Sequence, residues 1–308
     1  MNDLRQSLTD YLAMRRELGY KLYCDGNLLV KFVAFCQESH AEFVTVELAL
    51  AWATLPEHCS ATWSYCRLKA VRGFARYLHA FDPRTGVPPK GLLPSGPQRA
   101  TPYLYSSDEV KALMMGATEI RSPLRAATIE TIVGLLAATG MRVGEALALD
   151  RDDVNLSEGY LTVRHAKFNK TREVPLHPTC VAALNAYALV RDELATRATG
   201  LAFFVSVVGT RMSHSNFHVA FVELVRRARI QRRSASCRPR VHDLRHTFAV
   251  NVLTSWCADG GDVAARMQSL STYLGHGDPA STYWYLSGSA ELLALAAERL
   301  ETAYEVTS

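Results

Sequence analysis

Residues 160–176 read YLTVRHAKFNKTREVPL. Two short strand-like runs flank a polar, basic turn that carries Lys167 and Lys170, so the segment predicts a β-hairpin. It decides the fold class because nearly everything around it is helical. Upstream, Ser106 followed by Glu109 has capping-box spacing, and Ser122-Pro123 supplies an N-cap and a proline at the first helical position. The helix they open, LRAATIETIVGLLAAT, is ended by Gly140. Downstream, Pro178 opens PTCVAALNAYALVRDELATRA, LAFFVSV reads as a short strand, and SNFHVAFVELVRRARI, HDLRHTFAVNVLTSW and AELLALAAERLETAY are helical again. The expected class is therefore mainly α with a small β-sheet (α+β).

A second stretch divides the chain. Residues 82–102 hold six of the twelve prolines (83, 88, 89, 94, 97, 102) and three glycines (86, 91, 96), a composition that cannot continue a helix and reads as an extended linker. Before it, apolar stripes run through Leu4, Leu8, Tyr11 and Leu12, and through Leu28, Leu29, Phe32, Val33 and Phe35. Thr45 is placed to cap VELALAWA, and Trp63, Cys66, Ala70, Phe74, Leu78 and Phe81 recur at helical spacing, with Lys69, Arg72, Arg76 and His79 on the other face. The predicted organisation is a helical domain at 1–82, a Pro/Gly-rich linker at 83–102 and a larger domain at 103–308.

With 308 residues, both domains are long enough to bury a core. Apolar residues make up 48% and charged residues 21%, ordinary for a soluble globular chain. The seven cysteines form no CxxC, which argues against a disulfide framework or a zinc site and favours reduced thiols in a cytoplasmic protein. The N-terminal stretch is periodic and charged rather than an apolar leader, and no run approaches a membrane span. The net charge of +4 is too small to specify a polyanionic partner, so local clustering has to decide. Residues 60–100 hold seven Lys/Arg against Asp82 alone, and residues 226–245 hold eight arginines against Asp243 alone. Both distributions favour a nucleic-acid backbone, with Lys69, Arg72, Arg76, Lys170, Arg238 and Arg240 as expected contacts.

Five pieces carry candidate chemistry: TGMRVGEAL with Arg142 and Glu145, the hairpin lysines, HDLRH with His242 and Arg245, LGH with His276, and TYWYL with Tyr283 and Tyr285. Singly, each has an ordinary structural explanation: a helix cap, a solvated turn, a helix-face contact, a satisfied histidine, core aromatics. His214 and His218 have metal-ligand spacing on a helix, but no third ligand is near in sequence, and no metal or cofactor is expected. Together the set meets the needs of in-line attack on a phosphodiester. Paired guanidinium N–H groups grip non-bridging oxygens and stabilise the five-coordinate phosphorus. A lysine can protonate a leaving alkoxide. A phenol, with an ordinary pKa of about 10, attacks only with help from a cationic pocket or a base.

In this order and spacing, the pieces ATGMRVGEALAL, the lysine-bearing hairpin, HDLRHTFA, LGH and a tyrosine nine residues after that histidine resemble the tyrosine recombinase (phage integrase) family. The helical domain and linker resemble that family's core-binding domain. The resemblance implies that Arg142 and Arg245 hold the scissile phosphate, Lys167 (with Lys170 as second choice) is the general acid, His242 assists proton transfer, and His276 hydrogen-bonds the phosphate. It implies that Glu145 supports the basic pocket and that Tyr285 forms a 3′-phosphotyrosine link, with no metal or ATP. Double-stranded DNA is the implied partner, bound by a homotetramer, alone or with sister recombinases. The wording GDPASTYWYLS is closer to recombinases of mobile elements. Arg245 and His276 are 31 residues apart, which predicts a lengthened loop around Gly260-Gly261. The last helix is expected either to pack on its own domain or to dock on a neighbouring protomer. Two other functions fit: a DNA-relaxing topoisomerase of the same chemistry, and a non-catalytic DNA-binding regulator on the same fold.

Overall fold

The computed structural model describes residues 4–55, 59–94, 100–164, 171–196, 200–259, 262–275 and 280–285. The chain folds as two units, Met1–Ala100 and Thr101–Ser308.

The first unit is built on four helices: α1 (Leu4–Glu17), α2 (Tyr23–Glu38), α3 (Val46–Thr54) and α4 (Ala61–His79). Thr45 and Ser60 accept from the amides of Leu48 and Trp63, so side-chain oxygens satisfy donors that the first turns of α3 and α4 leave open. Leu8 and Tyr11 of α1, Leu29, Phe32 and Val33 of α2, Trp52 of α3, and Leu68, Val71, Phe74 and Ala75 of α4 fill the core. Ala70, Phe74 and Leu78 of the expected α4 stripe are buried, but the two ends of the stripe are not. Trp63 and Phe81 are exposed, while Arg67 and Arg72 are buried. Arg67 stacks over the Trp52 ring, 3.7 Å from its centroid, and donates to the Trp52 carbonyl. A guanidinium with one N–H group on a carbonyl and its flat face on an aromatic ring is tolerated in a core, although Nε of Arg67 is buried with no partner.

The first half of the Pro/Gly-rich stretch is not free linker. The Gly86 amide donates to the Val44 carbonyl at 2.7 Å, Nδ1 of His79 lies 2.7 Å from the Thr85 carbonyl, and Val87 and Leu93 pack on the core. Arg72 donates to the carbonyls of Pro88 (2.7 Å) and Pro89 (2.9 Å). A Cβ on Gly86 would lie 3.1 Å from the Val46 amide nitrogen, so the missing side chain permits this close approach.

The second unit contains α5 (Ser107–Thr118), α6 (Pro123–Thr139), α7 (Val143–Ala148), α8 (Pro178–Leu194), α9 (His214–Arg227), α10 (Val241–Ala258), α11 (Val263–Leu274) and the short α12 (Ala280–Tyr283). The capping box of Ser106 and Glu109 forms, as does the Ser122 cap of α6. Buried residues surround α6 on all sides, including Leu124, Thr128, Ile129, Ile132, Val133 and Leu136. That pattern marks a central core helix, packed here by α5, α8 and α10.

The hairpin is present as β2 (Tyr160–Val163) and β3 (Arg172–Pro175), antiparallel, with Leu161 opposite Val174 and Val163 opposite Arg172. A two-residue β1 (Val154–Asn155) extends the sheet in the order β1-β2-β3. LAFFVSV does not form a strand: its ladder pairing is limited to isolated bridges, Asp150 to Ala202 and Val205 to Arg211. Phe203 and Phe204 instead bury their rings against Tyr187 at 5.6 and 5.1 Å. Gly260-Gly261 lies outside the described residues, but the segment around it is largely helical, running from α10 into α11.

Candidate active site

Two left-handed glycines frame the site. Gly140 (φ 61°) ends α6 and Gly275 (φ 69°) ends α11. A helix C-terminus leaves carbonyl oxygens without intrahelical partners and carries partial negative charge. Arg245, on α10, donates to Gly140 O at 2.9 Å and to Leu274 O at 2.8 Å. Arg142, at the start of α7, donates to Gly275 O at 2.9 Å. The main chain at two helix ends therefore fixes both guanidiniums. Neither glycine has room for a side chain: a Cβ would lie 2.8 Å from Cγ of Phe248 at position 140 and 2.8 Å from Nη1 of Arg172 at position 275.

Glu145 lies between two arginines. Its Oε1 accepts from Arg142 Nη1 (2.7 Å) and Arg172 Nη1 (3.1 Å). Its Oε2 accepts from the Arg142 amide (2.9 Å) and Arg172 Nη2 (2.8 Å). Burial alone would push this carboxyl up, but the Arg172 hydrogen bonds and charge, with help from Arg142, bring it down to about 2. Arg245 is 2% exposed. Burial lowers its pKa, and the charge of Arg142 adds to this, while Tyr285 and Glu145 act in the opposite direction.

Tyr285 is 3% exposed and packs with Ala249, Val250, Leu253, Met267, Leu270 and Leu274. It lies near enough to the Arg245 guanidinium to raise that group's pKa against the effect of burial. Tyr283 is 53% exposed. The two tyrosines thus sit in opposite environments: α12 ends at Tyr283, and the turn that follows carries Tyr285 into the core. His242 is exposed and His246 buried. Their ring centroids are 4.8 Å apart, and His246 lies 5.2 Å from Tyr285 and 4.9 Å from Trp284. The structure brings together Arg142, Glu145, Arg245 and Tyr285, with His242 linked through His246. Lys167, Lys170, His276 and the expected last helix, AELLALAAERLETAY, lie outside the described residues, as do residues 277–279.

Two residues at this site were missed in the sequence. Arg172 shares a strand face with the buried Val174, so period-two alternation already aimed it inward. His246 falls four residues after His242, on the same helical face.

The arginine-rich stretch is not one solvated stripe. Arg226 and Arg227 pair with Glu223, and Arg233 donates to Leu104 O and lies over Tyr103. Arg240 grips the fully buried Asp243 through two bonds, 2.9 and 2.8 Å. Burial pushes Asp243 up and Arg240 opposes it, so this arginine fastens the start of α10 rather than standing free for DNA. Arg238 is exposed. In the first unit, Lys69 and Arg76 are exposed and line a groove of ≈ 360 Å³ with Arg15, Tyr65 and Lys90. Arg72 also borders this groove, but two of its donors are held by proline carbonyls. His214 and His218 stack at 6.5 Å on α9, and no group of three potential metal ligands occurs among the described residues.

The phage integrase family model matches residues 104–291. A Sinorhizobium fredii protein named as an integrase/recombinase, y4rB, is 41% identical over 99% of this chain and 99% of its own length. Tyrosine recombinase XerC of Azotobacter vinelandii is 31% identical over 71% of this chain and 67% of its own. The Tn1549 transposon integrase, solved with transposon right-end DNA, superposes with a TM-score of 0.65 over 96% of this chain and 98% of that one, at 14% identity. No helix among the described residues is long and apolar enough to cross a membrane. The matched span, the full-length relative and the architecture agree: the chain belongs to the phage integrase family of tyrosine recombinases.

Proposed function

We propose that this chain is a site-specific DNA recombinase that cleaves and rejoins strands through a 3′-phosphotyrosine intermediate, without metal or ATP. The observation that carries the reading is the buried Tyr285 within electrostatic reach of Arg245, whose guanidinium is fixed by carbonyls at two helix ends, with Arg142 anchored at the adjoining helix end. A guanidinium beside the phenol stabilises the charge that grows on its oxygen as the proton leaves. Tyr285 Oη attacks phosphorus, Arg142 and Arg245 bind the non-bridging oxygens, and the bond from phosphorus to the 5′ oxygen breaks. His242 assists removal of the phenol proton, and Lys167 protonates the departing 5′ oxygen, with Lys170 as the second candidate. His276 adds a hydrogen bond to the phosphate. The bond energy is kept in the phosphotyrosine, so attack by a 5′-hydroxyl reverses the step and rejoins the strand. Four protomers on two synapsed duplexes would exchange strands, alone or with sister recombinases, and the expected compartment is the cytoplasm, where the DNA is.

The test uses a duplex selected by the protein from a randomised pool and nicked in its core, so that the cleaved fragment diffuses away. Wild type and Tyr283→Phe should trap a covalent adduct, whereas Tyr285→Phe should not. An adduct with Tyr285→Phe would sink the nucleophile assignment. Relaxation of supercoiled plasmids that lack the selected site would favour the topoisomerase alternative.

A further inference from the structure

We infer that Arg172 is a positioning residue of the strand-cleavage reaction, keeping Arg142 both oriented and electropositive through their shared carboxylate, Glu145. The inference rests on the reading of the site given above. Arg172 has no place in the motif set read from the sequence, yet it makes three hydrogen bonds here. Nε donates to Tyr273 O at 2.9 Å, and Nη1 and Nη2 donate to the two oxygens of Glu145. Glu145 in turn holds the side chain and the amide of Arg142, and Arg142 reaches Gly275 O, two residues beyond Tyr273. The contacts close into a ring through β3, the start of α7 and the end of α11. Its side chain is 13% exposed, against 30% for Arg142, so Arg142 is the member better placed to meet a ligand.

Charge counting gives the ring a purpose beyond support. A lone Glu145–Arg142 pair is neutral and would offer a phosphate little net attraction. With Arg172 also on the carboxylate, two cations share one anion and the cluster keeps a charge of +1. The fork of Arg172 is matched to both carboxylate oxygens, which leaves Arg142 one rotational setting. A lysine at 172 would restore the charge but not the fork.

The experiment measures single-turnover cleavage of the selected, nicked duplex by wild type, Arg172→Met and Arg172→Lys. Each is assayed on the ordinary phosphodiester and on the same duplex with a methylphosphonate at the scissile position. The neutral methylphosphonate has lost the non-bridging charge that the cluster would stabilise. Arg172→Met should slow phosphodiester cleavage about 10²-fold, the usual effect of losing one electrostatic donor. Affinity for the duplex should change little, Arg172→Lys should recover part of the rate, and the methionine defect should shrink on methylphosphonate. Circular dichroism and melting of each variant control for folding. A wild-type rate for Arg172→Met, or equal defects on both substrates with no recovery by lysine, overturns the inference. Absence of any adduct from the wild type counts instead against the proposed function, so the two failures are separable.

Discussion

Replacing Glu145 with glutamine removes the one negative charge that Arg142 and Arg172 share, and its cost is fixed by geometry. A carboxyl held at about 2 rather than at its ordinary 4.5 binds its proton some 300-fold more weakly in the folded state, equivalent to about 3 kcal/mol of stability at neutral pH. The side chain is only 10% exposed, so solvent screening reduces this little. Because the folded value is depressed, the contribution is complete above the unfolded value and fades as pH falls from about 4.5 towards 2. Urea unfolding of wild type and Glu145→Gln, followed by the far-ultraviolet signal, should give a gap of about 3 kcal/mol at pH 7 and roughly 1 kcal/mol at pH 3. Other carboxyls titrate alike in both proteins and cancel in the difference. A gap that stays constant or widens on acidification would refute the reasoning, because the carboxylate would then not be held by its arginines.

Three further outcomes are expected. Gly140→Ala should lose about 3 kcal/mol in thermal unfolding, from the left-handed backbone and the Phe248 ring, whereas Gly144→Ala, with open space around it, should be neutral or stabilise by about 0.5 kcal/mol. Arg72→Met should cost about 2 kcal/mol, and hydrogen exchange should quicken at the Val87 and Lys90 amides as the pinned proline carbonyls lose their donors. Alanine at Lys69, Arg76 or Lys90 should each lower the slope of log K against log salt for duplex DNA by about 1, whereas Arg240→Ala should lower stability and leave that slope unchanged.

Local chemistry was legible in the sequence. The caps at Ser106, Ser122 and Gly140 and the hairpin strands depend on spacing alone, and all appear. Most errors arose where partners distant in sequence decide. Arg67 and Arg72 look like surface charges until Trp52 and the two proline carbonyls supply their partners. Arg240 is a different case: its partner Asp243 is only three residues on, but counted merely as the lone acid in an arginine-rich stretch. LAFFVSV is short and apolar, a pattern shared by strands and buried loops, and Tyr187 decided between them. Arg172 escaped notice because its partners, Glu145 and Tyr273, lie 27 and 101 residues away.

The two left-handed glycines also set the mutational robustness of the gene. Any missense change in either codon adds a Cβ, and at both positions that atom meets a group already in use: the Phe248 ring at 140, the Arg172 guanidinium at 275. Asparagine, the residue most tolerant of left-handed backbone, would meet the same obstacle. No conservative replacement exists at these codons, so they are points where a single nucleotide change can silence the recombinase without touching a residue that meets DNA.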